Sequence, residues 1–498
     1  MSHKQHRSRS VTRAYGLRFT LCSLALAALA FIPFAPELSA AQSDSERLEK
    51  LEKAVELLQQ RNAELEREVS SLKKQKEPKA PAVALSSEKR SKFVPDGKSY
   101  ADKGEITEEK KPVYVVPGAS ELKLTLGGLL QTQYEAGDVS AFEGRFPDGP
   151  NEIHDRFRQR RARINITGEF AEQFDFKLEG EYAQSDVGIT VRNPNGTTQV
   201  SNTTRTAFGG LDLWANWHKF PEFNVKVGQY KAPFGLEQIS PDPKLFTLER
   251  SQVTSALTPE RQIGVQIWGK PLASVFPEQK DVLTYYAGIF NGTGRNITVN
   301  DNNEYMYAGR LEVQAFKTKA LNEEVSLKLG VNGLSSRDDA GTVLSPAGNL
   351  RVNTDGSLTA YTAASAAERE AYGFDAAFHF GPFDLIGEYL SESIDARTVN
   401  GVAPLFQDFR AEGYYIQGSY FIIPKTLQLF TKYESFNPGQ VANDNLMSIT
   451  GGLNYYIHGD DIKILAHYIH TWSNFRESNP AFGSDEFDEF ILRLQLQY

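Results

Sequence analysis

Apolar and polar residues alternate one by one through the end of the chain. Phe490, Leu492, Leu494, Leu496 and Tyr498 share one face of an extended strand, and Ile491, Arg493, Gln495 and Gln497 share the other. The same alternation recurs in sixteen segments between Gly118 and Tyr498. They start near Glu121, Arg156, Gln173, Thr206, Glu222, Arg261, Lys280, Glu304, Glu323, Glu368, Pro382, Asp408, Lys425, Asp444, Asp461 and Asp485. In the third, Phe174, Phe176, Leu178 and Tyr182 oppose Asp175, Lys177, Glu179 and Glu181. That second face is too charged for the dry core of a soluble β-sandwich or propeller, the competing architecture. The connections alternate in length. They are tight at Ala171 to Glu172, Gly381 to Pro382, Pro424 and Gly459, and long over 136–155, 184–205, 233–260, 337–367 and 395–407. The pattern predicts an all-β fold for 118–498: a sixteen-stranded antiparallel transmembrane β-barrel with short periplasmic turns and long outer loops. A barrel of that size leaves an aqueous channel.

The period changes before Gly118. Leu48, Leu51, Val55, Leu58, Leu65, Val69 and Leu72 recur as a heptad, and Asn62 takes the remaining core position. This predicts an N-terminal α-helical coiled-coil stalk over 44–72 in which Asn62 sets register and strand number. A parallel trimer is favoured, although the core residues also allow a dimer or a lone charged helix. From 73 to 117 Lys, Glu, Pro, Ser and Asp dominate, which reads as a flexible periplasmic linker with possible cell-wall contact through the stalk. At the start, Lys4, Arg7, Arg9, Arg13 and Arg18 precede an apolar run, Phe19 to Phe34, and small residues at Ser39, Ala40 and Ala41. Residues 1–41 therefore read as a secretory signal peptide, with Pro33 and Pro36 arguing against a retained anchor. Closing the last strand on an outward aromatic resembles the C-terminal assembly signal of outer-membrane proteins.

Composition narrows the classes. An apolar fraction of 40% and a mean hydropathy of −0.42 are too low for a bundle of membrane helices. The formal charge of −9 becomes −13 once the five basic residues and Glu37 of 1–41 are taken off, which argues against nucleic acid. The 39 glycines, 21 tyrosines and 31 phenylalanines supply turn formers and girdle aromatics. Cys22, the only cysteine, lies in the signal segment. His379, His458, His467 and His470 are scattered, with no nucleophile, metal-ligand or phosphate-loop motif beside them, so neither catalysis nor a cofactor or metal is expected.

Strand parity assigns the candidate lumen residues. Ala162, Ile164, Ile166 and Phe170 would face lipid, and Arg161, Arg163, Asn165, Thr167 and Glu169 water, with Arg158 and Arg160 near the outer end. Four arginines in six positions form the densest basic feature of the barrel. Guanidinium groups attract anions and bond phosphate oxygens in pairs. The competing expectation is that these arginines pair with loop carboxylates or lipid headgroups. The connection from Pro233 to Glu260 is the candidate to fold inward, and it carries Lys244 and Arg250 alongside Glu237, Asp242, Glu249 and Glu260.

Several strings, in matching order over most of Glu121 to Tyr498, resemble the phosphate-selective porins O and P of Gram-negative outer membranes. They are Leu126-Gly127-Gly128 followed by Leu129-Leu130-Gln131, Arg160 to Arg163, Val227 to Gln229 followed by Phe234-Gly235-Leu236-Glu237, Leu248-Glu249-Arg250, Gly413-Tyr414-Tyr415 and Leu492 to Gln495. The resemblance implies a homotrimer of sixteen-stranded barrels in outer-membrane lipid, each with an inward loop, an arginine ladder and a lysine cluster passing phosphate or polyphosphate. It assigns Arg160 and Arg161 to the ladder, Arg250 to the end of the inward loop, Lys244 to the basic cluster and Asp212 to a pore-facing acid. Arg163, Lys226, Arg310 and Arg493 face the lumen by parity. The chain departs from the family at Gln229 and Leu129, where basic residues would stand. Its lumen also holds Glu135, Glu179, Glu181, Glu312, Asp375, Asp384, Glu388 and Glu434, which weigh against the ladder in the net potential. The expected function is passive diffusion of small anions. The alternatives are a general diffusion pore with weak charge preference and a stalked tether between outer membrane and cell wall.

Overall fold

A computed structural model describes residues 113–115 and 122–498 except 148–152, 186–188, 193–197, 202–205, 301, 346–347, 399–400 and 402. The expected signal peptide, the stalk with Asn62 and the linker as far as residue 112 lie outside the described residues. Sixteen long strands form one antiparallel ring. They are β1 (Lys123–Gly137), β2 (Arg156–Phe170), β3 (Phe174–Ser185), β4 (Thr206–Phe220), β5 (Phe223–Lys231), β6 (Arg261–Gly269), β7 (Leu283–Phe290), β8 (Met306–Ala320), β9 (Glu323–Asp338), β10 (Ala367–Phe380), β11 (Phe383–Ala396), β12 (Phe409–Ile423), β13 (Leu427–Asn437), β14 (Leu446–His458), β15 (Ile462–Ser473) and β16 (Glu486–Gln497). The ring closes where β1 pairs with β16, from Leu129 opposite Gln497 to Gly137 opposite Glu489. Closure leaves no sheet edge unpaired in a medium that offers backbone groups no water.

The seam has local requirements. The Gly128 N–H donates to the Tyr498 carbonyl at 3.0 Å. A Cβ on Gly128 would stand 2.4 Å from the Tyr498 ring, so only glycine lets that aromatic lie across the seam. Beyond the end of β16, a short strand at Val113–Val115 pairs antiparallel with Lys123 to Thr125 of β1.

The two ends of the barrel differ as the connection lengths predict. Tight links at the short-turn end are made by left-handed residues, including Ala171 and Glu172 (φ 51° and 56°) and Leu321 and Asn322 (φ 53° and 66°). Such turns match the right-handed twist of the strands they join. One connection breaks the rule: 270–282, between β6 and β7, is longer and contains a 3-10 turn at Pro277–Gln279. Leu329, Leu453, Leu492 and Leu494 point out of the ring. Nearer the long-loop end the outer face carries an aromatic belt, with Tyr372 near Tyr389, Tyr414 near Tyr433, and Tyr433 near Trp472. Rings that are apolar in body and polar at the tip suit a lipid headgroup layer. No helix among the described residues is long and apolar enough to cross a membrane.

The interior is not polar throughout. Towards the long-loop end, inward-facing Met306, Leu334, Leu390, Ile394, Phe436 and Phe487 are buried in one apolar cluster. They are covered by Phe146 of the first long loop, by Phe234, Val253 and Leu257 of the third, and by Leu344, Leu350 and Leu358 of the connection between β9 and β10. That last connection carries a small hairpin, Arg351–Val352 with Leu358–Thr359, tied to the first loop by the Leu358 N–H on the Gly144 carbonyl at 2.8 Å. Loops that fold inward supply apolar side chains, so these wall positions are dry despite facing the lumen.

Candidate functional site

The loop between β5 and β6 folds into the barrel. It turns at Gly235 (φ 82°), forms the short helix α1 (Leu236–Ile239), a 3-10 turn at Asp242–Lys244 and the helix α2 (Gln252–Leu257), then re-enters the wall at Arg261. Ser251 caps α2 by accepting the Thr254 N–H. The loop brings two carboxylates, Asp242 and Glu249, against the arginines of β2 and β16.

A register shift in β2 places those arginines. Opposite Gln131 and Thr132 of β1 stand Arg161 and Gln159, so Arg160 is an extra residue in the ladder. Such a bulge changes the facing of the residues on either side of it. Arg158, Arg160, Arg161 and Arg163 all make polar contacts on the inner side. Arg160 grips Glu249 in a two-pronged pair at 2.7 and 2.8 Å. Arg493 reaches the same carboxylate and the Leu248 carbonyl. Arg161 donates to Gln131 at 2.7 Å and lies 3.4 Å from Asp242 and 3.6 Å from Glu249. Arg163 bridges Glu181 at 2.7 Å and Asp242. Arg250 also pairs with Asp242 and donates to the Ser240 carbonyl at 2.8 Å. Asp242 thus sits among three guanidinium groups. In this cluster Arg160, Arg161, Arg163, Arg250 and Arg493 meet three carboxylates, Asp242, Glu249 and Glu181, while Lys231 beside them donates to the Ser240 carbonyl at 3.0 Å. The local balance is positive.

Burial by itself pushes the Asp242 carboxyl up, but Arg161, Arg250 and Arg163 more than offset this and hold it well below the usual carboxylate range. Glu249 behaves likewise, with burial opposed by Arg160, Arg493 and Arg161. Because both folded-state values are depressed, the docking these acids provide is complete above the ordinary carboxylate pKa and is lost only as pH falls through the depressed values. On the arginine side the loop is therefore expected to stay docked from neutral pH through the ordinary carboxylate range near pH 4, with release there only in stronger acid. A conductance step centred near pH 4 would show that these two carboxylates titrate normally.

The other sequence candidates divide. Asp212 on β4 accepts from Arg261 at 2.7 Å and Lys177 at 3.0 Å, a pair of partners that strand parity alone did not connect. Lys226 on β5 lies over the rings of Trp214 and Tyr230, at 4.3 and 5.1 Å from their centroids. Arg310 belongs to a separate network, bidentate on Asp375 at 2.6 and 2.8 Å and bonded to Glu312 at 2.8 Å. Lys244 is half-buried on the 3-10 turn beside Asp242. At the departures, Gln229 donates to the Leu211 carbonyl at 2.7 Å, and Leu129 is buried on the inner face. Residues not singled out from sequence also hold the loop. Lys463 donates to the Pro243 and Leu245 carbonyls at 2.7 and 3.1 Å, and Asn454 to the Phe246 carbonyl at 2.8 Å. Their inward parity on β15 and β14 was the available signal.

The sequence model of the family described as phosphate-selective porin O and P matches residues 131–498. A curated relative from Aquifex aeolicus (strain VF5), described as an uncharacterized protein, is 26% identical over 306 residues. That match covers 57% of this chain and 66% of the relative, so the chain spans just under two thirds of the relative's length. Among solved structures, an anion-selective porin from Comamonas acidovorans is 11% identical with a TM-score of 0.47, over 76% of this chain and 100% of that one. OmpF of Salmonella typhi in complex with daunomycin is 11% identical with a TM-score of 0.48, over 76% and 98%.

Proposed function

The chain belongs to the phosphate-selective porin O and P family, and from that membership we propose that this outer-membrane channel passes small anions such as phosphate or polyphosphate by passive diffusion. The observation that carries the reading is the positive balance at the inward loop, where Arg160, Arg161, Arg163, Arg250 and Arg493 share Asp242, Glu249 and Glu181. A solute anion entering this low-dielectric passage is enriched by the net potential and exchanges hydration for guanidinium hydrogen bonds. The forks are already engaged by carboxylates, so an anion shares them during transit and does not dock in an empty ring. That keeps the interaction weak enough for release down the gradient. Lys226, Lys244 and Arg310 would add to the field elsewhere along the lumen, and Asp212 would reduce it.

The long loops would face outward and the short turns the periplasm, where cleavage of 1–41 would leave the 44–72 stalk, with Asn62 setting its register, and the 73–117 linker. A homotrimer in outer-membrane lipid fits this arrangement, and wall contact through the stalk remains part of the proposal.

A second reading has its own observation. Arg160, Arg161, Arg163, Arg250, Arg310 and Arg493 are each ion-paired, as a general diffusion pore with little charge preference would have them. Reversal potentials across a planar bilayer in chloride and phosphate gradients separate the two. An anion-selective potential in the wild type, weakened in the Arg160→Ala, Arg161→Ala double variant, is the expected result. A potential near zero that the substitutions leave alone would establish the general pore.

A further inference from the structure

The arginines of β2 and β16, with Lys463 and Asn454, hold one side of the inward loop. Its other side is fastened to β11 and β13, seven and five strands from β2 around the ring. There the Glu388 carboxylate accepts the Leu236 N–H through one oxygen and the Glu237 N–H, at 3.2 Å, through the other. Glu237 in turn pairs with Lys432 at 2.9 Å and accepts the Ser251 N–H at 2.8 Å. Ser251 is the cap of α2, whose first N–H, on Gln252, donates to Glu434 of β13 at 3.0 Å. One loop carboxylate therefore joins α1, α2 and the wall, while the Glu237 carbonyl accepts from Arg250 at 3.0 Å and ties the assembly back to Asp242. Glu237 and Lys432 are 2% and 3% exposed, so neither charge has water to replace a lost partner. The approach of the loop to Glu388 depends on Gly235: a Cβ there would meet Thr258 at 3.0 Å and Glu388 at 3.3 Å, at a φ that other residues rarely adopt.

We infer that Lys432 and Glu388 are positioning residues that set the width of the pore by strapping Glu237 and the inward loop to the wall at β11 and β13. With only its 242–250 stretch held, the α1 end of the loop would sample many positions, because ordering it costs chain entropy that the second set of anchors offsets. With both sides held, the constriction has one width and the open channel is quiet. Lys432 pairs with Glu237 and touches none of the arginines, so its loss changes conductance and current noise and leaves the charge of the arginine cluster as it was. The inference rests on the channel reading above.

The test uses full-length protein in planar bilayers, with heat-modifiable gel mobility to show that each barrel is closed. Lys432→Ala is expected to roughly double single-channel conductance and raise open-channel noise with the sign of the reversal potential kept, and Lys432→Arg to restore the wild-type trace. A folded Lys432→Ala channel with wild-type conductance and noise would overturn the inference. So would one whose reversal potential shifts at unchanged conductance, since Lys432 would then be a selectivity residue. If Lys432→Ala does not close, the exchange of Glu237→Lys with Lys432→Glu decides: recovery of a quiet trace relative to Glu237→Lys alone supports the strap, and an equally noisy exchange refutes it. A wild-type barrel that inserts but carries no current would instead remove the channel reading itself.

Discussion

Asp242→Asn is expected to give a barrel that still closes but conducts more and selects anions more strongly than the wild type. The substitution keeps the size of the side chain and removes the one negative charge that Arg161, Arg163 and Arg250 approach together. Breaking a buried ion pair from one side costs about 3–5 kcal/mol, because the partner charges are left uncompensated. The amide oxygen still accepts a hydrogen bond, so the cost should lie towards the lower end. Strand pairing does not pass through the inward loop, so the loss falls on loop docking and spares the ring. Loop release widens the passage, and one fewer acid makes the local potential more positive. Conductance and reversal potential measured together check this. Unchanged values would mean that Glu181, Glu249 and the loop carbonyls suffice to hold the three arginines, and weaker anion selectivity would mean that the cluster does not face the permeant.

Leu329→Arg is expected to lose about 2–4 kcal/mol of folding free energy in a bilayer, the cost of a lipid-facing arginine near mid-depth of a transmembrane barrel. Leu329 stands mid-strand in β9, paired with Val313 on β8 and Ala376 on β10, and is 42% exposed on the outside of the ring. Its neighbour Lys328 faces inward and pairs with Glu312 at 2.8 Å, so Lys328→Arg serves as the control and should leave stability unchanged. The urea midpoint for unfolding from vesicles reports both. Equal midpoints for Leu329→Arg and wild type would mean that this face is not in contact with lipid.

The contrast between these neighbours shows why so much of the barrel could be read from the chain. Two solvents act on alternate residues, so each strand carries its own record of which side is wet, and a shift of one residue would turn every side chain the wrong way. Strand β2 begins at Arg156, β9 at Glu323 and β4 at Thr206, where the alternation begins, and the other strands start within a few residues of theirs. The positive-φ turns at Ala171, Gly381 and Gly459 fall where the apolar pattern breaks. Local chemistry also marked the inward loop, through its length and its density of charge.

What sequence alone determined is therefore the ring, its two faces and the residues able to reach the lumen. The tertiary structure decided which of those residues meet. The extra residue at Arg160 turns two successive arginines inward, against simple parity. Arg160 and Arg493 converge on Glu249 across 89 and 244 residues, and Lys432 finds Glu237 across 195. The apolar cluster at the long-loop end exists because three loops fold onto wall positions that would otherwise be wet. Alternation is imposed residue by residue by lipid and water, and so it is written locally. Ion pairing in the lumen depends on where a loop delivers its carboxylates after the ring has closed, and no local pattern records that.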